Sequence, residues 1–318
     1  MSGGEENIKM NTVTKIRSMA RKKIKSIVLP EYNDKRVAEA ARIIEAEGIA
    51  KVTLFTPDMV DAKEQERYVN EYYNMYKGKD IDPDAARKLF LDPLYYTAMM
   101  TNEGKFDGLV AGAAHTSPDV IRACMRCMGI DKHITIISSC FIMEVPNCPY
   151  GDNGTFVFAD CGVIPEPNAR QLARIAFSAA ELMQKVLDLT PRIAFLSYST
   201  KGSAKTKSAD KIREALSMFK KLAPNVLADG ELQLDAAIVP EVAQIKYPNS
   251  PLGGKANVLI FPNLEAGNIG YKLTQRMSGG RAIGPLLLGV NRPASDLSRG
   301  CLVEDVVDCV AVTAIRAQ

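Results

Sequence analysis

SIVLPEYNDKRVAEAARIIEAEGIAKVTLF, residues 26–55, sets the fold class. Ser26–Glu31 is a short apolar run. Asp34–Gly48 carries apolar residues at helical spacing and stops on a glycine, which suits a helix C-terminus. Lys51–Phe55 is a second strand candidate. A strand, a helix and a strand in that order make a βαβ unit, which implies a parallel sheet covered by helices.

Reading outward, residues 60–90 look helical and heavily charged, and Phe106–Gly112 (FDGLVAG) returns to a buried-strand pattern. The character then changes. Cys140–Val145 and Thr155–Ala159 are β-like runs joined by Asn147–Gly154, which holds Pro149 and an Asp-Asn-Gly turn, as in a hairpin or extended arm. Helical patterning resumes over Asn168–Leu187. Strand–loop–helix units follow at Arg192–Lys221 and Ala256–Met277. The last strand candidate is Gly284–Val290, with a loop and a helix from about Leu302 after it. The expectation is an α/β protein of two α/β domains with a cleft between them. The first comprises 1–136 and 291–318, with residues 1–11 as a loose tail, and the second 137–290. Interdomain clefts are favoured ligand sites.

The chain has 318 residues, 47% of them hydrophobic and 24% charged, the profile of a soluble globular protein. Its 40 basic and 37 acidic residues leave a net charge of +3, with none of the concentrated basic excess that marks a nucleic-acid or anionic-membrane partner. No apolar run approaches the ~18–20 residues that span a bilayer. Seven cysteines, an odd number in a chain this long, point to free thiols in a reducing compartment, hence the cytoplasm.

Four loops could carry chemistry. In His115–Gly129 (HTSPDVIRACMRCMG), Ser117–Pro118 is the pair expected at a helix N-cap and first position, and Gly129 closes the helix. Arg122 and Arg126 share one helix face, either as an anion clamp centred on Arg122 or as a solvated basic surface. Cys124 and Cys127 form a C-x-x-C without a second pair, so buried thiols are expected there rather than zinc. Ser199–Thr206 (STKGSAKT) follows an apolar run and offers Ser199, Thr200, Lys201, Gly202 and Ser203, as a phosphate cradle or simply a polar loop. Asn263–Lys272 (NLEAGNIGYK) links a strand to a helix, with glycines that permit close backbone approach. Asn291–Asp305 (NRPASDLSRGCLVED) brings a hydroxyl, a guanidinium and a carboxylate, Ser298, Arg299 and Asp305, to the start of the last helix. That set can bind an anion and move a proton. It can equally be an N-cap serine with a dipole-stabilising acid.

The segments GLVAGAAHTSPDVIR (108–122), SYSTKGSAK (197–205), DGELQLDAA (229–237), FPNLEAGNIGYK (261–272) and DLSRGC (296–301) resemble the signature segments of bacterial and archaeal phosphate acetyltransferases. The resemblance runs in order from about residue 25 to the C-terminus. It implies an architecture related to isocitrate and isopropylmalate dehydrogenases, with the active site in the interdomain cleft, and commonly a homodimer. It also implies the reaction acetyl-CoA + phosphate ⇌ acetyl phosphate + CoA, with coenzyme A as a substrate and no metal. On this resemblance Ser298 and Arg299 are the catalytic pair and Asp305 the base. Arg122 binds substrate, and Cys148 matches an active-site cysteine of some members. Ser117, the 199–203 loop, Asn268 and Lys272 complete the expected substrate-binding set. One position departs from the pattern. Many members carry an arginine for CoA in the segment resembling Tyr73–Lys79, where Tyr76 stands here.

The expected chemistry is attack of the CoA thiolate on acetyl phosphate in a ternary complex, with Asp305 taking the thiol proton. A carboxylate beside an arginine at a helix N-terminus has a lowered pKa, which opposes that role. The rival readings are a longer acyl group such as propionyl or butyryl, a covalent route through Cys148 or Cys301, and a non-catalytic regulatory domain of the same fold. A metal- and NAD(P)-dependent dehydrogenase would need clustered aspartates and a nucleotide site, neither of which the sequence offers.

Overall fold

The computed structural model describes residues 11–79 and 81–318; of the expected loose tail, residues 1–11, all but Asn11 lie outside them, and Asn11 belongs to the fold as the cap of α1, accepting the Thr14 N–H. The elements run α1 (Thr12–Ala20), β1 (Ser26–Leu29), α2 (Lys35–Ala46), β2 (Lys51–Leu54), α3 (Ala62–Tyr76), α4 (Pro83–Leu89), α5 (Pro93–Asn102), β3 (Gly108–Ala111) and α6 (Ser117–Ala123). They continue with β4 (Ser138–Glu144), β5 (Thr155–Ala159), α7 (Ala169–Leu187), β6 (Arg192–Leu196), α8 (Lys207–Leu222), β7 (Leu227–Leu232), α9 (Leu234–Ile238) and α10 (Pro240–Lys246). The last are β8 (Val258–Ile260), α11 (Leu264–Ser278), β9 (Arg281–Leu288), β10 (Ala294–Asp296) and α12 (Val303–Arg316).

The opening βαβ unit forms as its sequence predicts. Asp34 accepts the Arg36 N–H as the cap of α2, whose buried Val37, Ala40, Ala41 and Ile44 make one stripe. β1 is buried from Ile27 to Leu29 because helices cover both sides of a parallel sheet.

One ten-stranded sheet has the order β2-β1-β3-β10-β9-β4-β5-β8-β6-β7. β2, β1, β3 and β10 are mutually parallel, as are β5, β8, β6 and β7. The centre is antiparallel, β9 pairing with both β10 and β4, and β4 with β5 in the expected hairpin. The two parallel blocks therefore run in opposite directions. β10 is a strand that the sequence reading placed in a loop. It pairs with β3, and α12 packs on α1 and α2, so the C-terminal residues complete the N-terminal block. α12 is buried along almost its whole length, which explains its nearly unbroken apolar run. Its one buried acid, Asp308, is held by Arg17 at 2.8 Å and Arg281 at 2.5 Å. No helix among the described residues is long and apolar enough to cross a membrane.

Candidate active site

Glu31, just after β1, organises the loop that follows the neighbouring strand β3. Its buried carboxylate accepts the N–H groups of Gly112, Ala113, Ala114 and His115 at 2.8–3.0 Å, and lies 2.8 Å from His115 Nδ1. Burial works to raise the Glu31 carboxyl, but the bonds from His115, Ala114 and Gly112 outweigh it and hold it low. His115 Nε2 lies 3.1 Å from Asp92 on the other side. Hydrogen bonds to Asp92 and then Glu31 push the imidazole up to about 10 against the opposing effect of burial.

This loop delivers α6. Thr116, not Ser117, is the N-cap: its backbone is extended and its Oγ1 receives the Asp119 N–H. That corrects the expected cap. With Thr116 in the capping role, Ser117 stands at the first helical position. The helix ends in a π turn, Cys124–Met128, closed by Gly129 at φ 80°. Cys124 and Cys127 are buried free thiols, as their lone C-x-x-C suggested, and burial pushes Cys124 up to about 12.

A cavity of about 430 Å³ opens beside α6, lined by Ser117, Pro118, Ile121, Arg122, Met125 and Arg126 on one side and by Gly162, Val163 and Leu264 on the other. Asp160 sets the far wall. Its carboxylate takes the Ser139 hydroxyl at 2.6 Å and the Gly162 and Ile164 N–H groups at 3.0 and 2.9 Å, folding the loop after β5 back on the sheet. Gly162 is pressed there, since a Cβ would stand 3.0 Å from Ser139 Oγ. Both Arg122 on α6 and Arg126 in the π turn after it line the cavity. Arg126 also donates to Tyr72 Oη at 3.0 Å and lies over the Tyr76 ring, so a cation stands beside the position where the family pattern has arginine.

Asp296, the last residue of β10, sits beneath the start of α6 and is 1% exposed. Among the described residues neither of its carboxylate oxygens has a hydrogen-bond partner. Burial, reinforced by the charge of Glu31, pushes the carboxyl up to about 7 against the opposing influence of Ser117 and the Leu297 N–H. The sequence reading missed this residue. An acid two positions before Ser298, at the end of a short run that pairs in the sheet, was the available signal.

Ser298 and Arg299 follow on an exposed turn, where Ser298 Oγ accepts the Gly300 N–H at 3.2 Å. Arg36, at the start of α2, fixes the turn. Its guanidinium donates to the carbonyls of Arg299 at 2.8 Å and Cys301 at 3.0 Å, and to Ala113 at 2.8 Å, while gripping Asp34 at 2.6 Å. The Ser298–Arg299 turn and the loop leading into α6 are thereby tied together. Among the described residues no carboxylate pairs with Arg299. Asp305 accepts the Leu302 N–H at 2.8 Å, in the first turn of α12, and stands 3.7 Å from Arg281.

The remaining expected residues are not gathered at this cavity. Asn268 donates to the Cys161 carbonyl at 3.1 Å and accepts from Lys272 at 2.8 Å, clasping α11 to the far wall. In the loop after β6, Ser199 and the Gly202 N–H donate to the buried Glu231 at 2.9 and 2.7 Å, and Lys201 to Asp229 at 2.5 Å. Thr200 accepts the Gln233 N–H at 3.0 Å, and Ser203 Oγ the Thr200 N–H at 3.0 Å. These groups turn inward to the β7 acids and shape their own loop. Cys148 lies half-buried in the β4–β5 connection against the aromatic cluster of Phe141, Phe156 and Phe158.

Residues 11–314 match the family described as Phosphate acetyl/butaryl transferase. A phosphate acetyltransferase from Thermoanaerobacterium thermosaccharolyticum is 44% identical, over 97% of this chain and 100% of that protein. One from Paracoccus denitrificans is 39% identical, over 97% and 100%. The solved phosphotransacetylase of Streptococcus pyogenes superposes with a TM-score of 0.84 at 37% identity, covering 95% of this chain and 96% of that one. A 4-hydroxythreonine-4-phosphate dehydrogenase from Burkholderia phymatum, at 11% identity and a TM-score of 0.51 over 91% and 98% of the two chains, shares the fold alone. The chain belongs to the phosphate acetyl/butaryl transferase family.

Proposed function

We propose that this protein is a phosphate acetyltransferase, moving an acetyl group between coenzyme A and inorganic phosphate. The observation that carries the reading is the Ser298–Arg299 turn, tied by Arg36 to the start of α6 in a chain of this family, with an arginine that no carboxylate pairs with among the described residues. Arg299 binds the phosphoryl group and offsets charge developing on the acetyl oxygen, with the Ser298 hydroxyl donating to the same atoms. Arg122 draws the anionic substrate into the cleft, and Arg126 meets a CoA phosphate beside Tyr76. Asp305 anchors the helix start that aims this turn. The CoA thiolate attacks the acetyl carbonyl directly, and CoA is a substrate rather than a resident cofactor.

The proposal places the enzyme in the cytoplasm, consistent with its seven free cysteines, as a homodimer of chains with two domains flanking the cleft. On α11, Ile269, Leu273 and Met277 are 57%, 53% and 82% exposed at four-residue spacing, an apolar stripe suited to a second copy. The test is CoA-dependent consumption of acetyl phosphate with release of phosphate, run beside propionyl and butyryl phosphate. Turnover fastest with acetyl phosphate supports the reading. Faster turnover of butyryl phosphate replaces it with the longer-chain activity, and no turnover of any of the three overturns it.

A further inference from the structure

After β3, four consecutive N–H groups, Gly112 to His115, converge on one point. Consecutive N–H groups turned to one centre, at the carboxyl edge of a parallel sheet, are the geometry with which α/β proteins hold phosphate. Here the anion at that point is the protein's own. Glu31 reaches it from the end of the neighbouring β1. Its Oε2 accepts from Gly112 and Ala113 at 3.0 and 2.8 Å, and its Oε1 from Ala114 and His115 at 2.8 and 2.9 Å. The imidazole Nδ1 of His115 stands 2.8 Å from the same Oε1. The Glu31 side chain is 2% exposed, so this place is closed to an outside ligand.

The same loop is fastened to the stretch that presents Ser298. The Leu297 N–H donates to the Ala111 carbonyl at 2.7 Å. Gly112 adopts φ +113° and is pressed on this stretch so closely that a Cβ would stand 2.5 Å from the Leu297 nitrogen. Arg36 adds the bridge from the Ala113 carbonyl to the Arg299 carbonyl. Downstream, the loop ends at Thr116, the cap of α6, and Arg122 on that helix lines the cavity. We propose that Glu31 is an internal anion standing in the place of a phosphate, and that the loop folded around it sets the spacing between the Ser298–Arg299 turn and Arg122. Glu31 is a positioning residue: it touches no substrate and acts through the two arginines.

The loop needs this carboxylate, because without it the buried Gly112 and Ala113 N–H groups are left without an acceptor. His115 braces it. The ring is held between Glu31 at Nδ1 and Asp92, 3.1 Å from Nε2, so the acid is gripped from its own side chain as well as from the backbone. The arrangement also divides the work of anion binding. With the backbone donors of this loop committed to Glu31, the substrate's phosphoryl group is left to side chains, Arg299 and Arg122. An amide in place of Glu31 keeps one acceptor oxygen but turns an NH2 donor toward N–H groups. Removing the side chain leaves a hollow ringed by N–H donors, suited to a small carboxylate.

The inference rests on the acetyltransferase reading, and its test separates the two. kcat/KM for acetyl phosphate is measured for the wild type, Glu31→Gln, Glu31→Ala and Arg36→Ala, with and without sodium formate at constant ionic strength. Each protein is assayed well below its own melting temperature. Glu31→Gln should lower kcat/KM by about 10-fold to 10²-fold, the size of a small displacement of binding groups. Glu31→Ala should fall at least as far and recover several-fold with formate, whose carboxylate can fill the hollow. Formate should leave the wild type unchanged, and Arg36→Ala too, because that variant lacks a cation. Wild-type kcat/KM in Glu31→Gln, even with a lowered melting temperature, overturns the positioning role alone, and so does a Glu31→Ala loss that formate does not reverse. Glu31→Gln decides the matter if Glu31→Ala does not fold. A wild-type chain that consumes no acetyl phosphate overturns the functional reading and this inference with it.

Discussion

Arg36 Nη1 donates to the Arg299 carbonyl at 2.8 Å, so a guanidinium from the first helix of the opening βαβ unit holds the turn that precedes the last helix. The same side chain reaches Cys301 and Ala113, and Asp34 fixes it in place. It joins that turn to the loop leading into α6, beside the direct bond from the Leu297 N–H to the Ala111 carbonyl at 2.7 Å.

Replacing Arg36 should therefore damage geometry more than it damages folding. Arg36→Ala is expected to lower kcat by about 10-fold to 10²-fold, because the turn loses its anchor. Its urea midpoint should fall by an amount equivalent to about 1–3 kcal/mol as three carbonyls and Asp34 lose a partner. Arg36→Lys should rescue little, since an ammonium cannot span the three carbonyls. Unchanged turnover in Arg36→Ala would remove the anchor from the argument.

Arg299 is exposed and, among the described residues, unpaired, so its loss should leave stability within about 0.5 kcal/mol. Arg299→Ala should lower kcat/KM for acetyl phosphate by about 10²–10³-fold, the size of a lost transition-state donor. Steady-state kinetics alongside a thermal melt check both halves. A destabilised variant with normal kinetics would assign Arg299 a purely structural role.

His115 couples stability to pH. Its folded pKa of about 10 lies above the ordinary histidine value, so the folded state holds the proton more tightly than the unfolded chain. The stabilisation is complete below about pH 6.5 and is lost as pH rises through about 10. Half-exposed Asp92 screens part of it, leaving about 1–2 kcal/mol at pH 8. Between pH 8 and 10 the wild-type urea midpoint should fall more steeply than that of His115→Gln. Parallel slopes would show that the imidazole is not charged between its two carboxylates.

The α11 stripe predicts self-association. The wild type should run at twice the 34.7 kDa chain mass in light scattering, and Leu273→Glu should shift it toward the single chain by placing a charge in the buried centre of the contact. A wild type of single-chain mass, or an unaltered mass in the variant, would place any dimer elsewhere.

Much of this protein is legible locally. The opening βαβ unit, the β4–β5 hairpin and the capping box of α7, Asn168 with Gln171, all follow from short-range pattern and end-group chemistry. Two strands did not show themselves. β7 reads LADGEL, with acids where a buried strand is expected to be apolar, because Lys201 and Arg213 arrive from elsewhere in the chain to pair with Asp229 and Glu231. β10 is three residues long and contains buried Ser295 and Asp296. α5 is buried on nearly every side, so it shows no amphipathic contrast to read.

By itself the sequence determined the α/β class, the positions of the polar loops, the family and the candidates Arg122, Ser298 and Arg299, because each depends on residues close together in the chain. Only the tertiary structure decided that Arg36 ties two of those loops, that the 199–203 hydroxyls and Lys201 serve their own loop, and that Asp296 is buried with neither oxygen hydrogen-bonded among the described residues. The physical reason is the same in each case. Whether a polar side chain binds a ligand, satisfies a neighbour or stays uncompensated depends on what distant segments place within about 3 Å of it, and that distance is set by the folded chain.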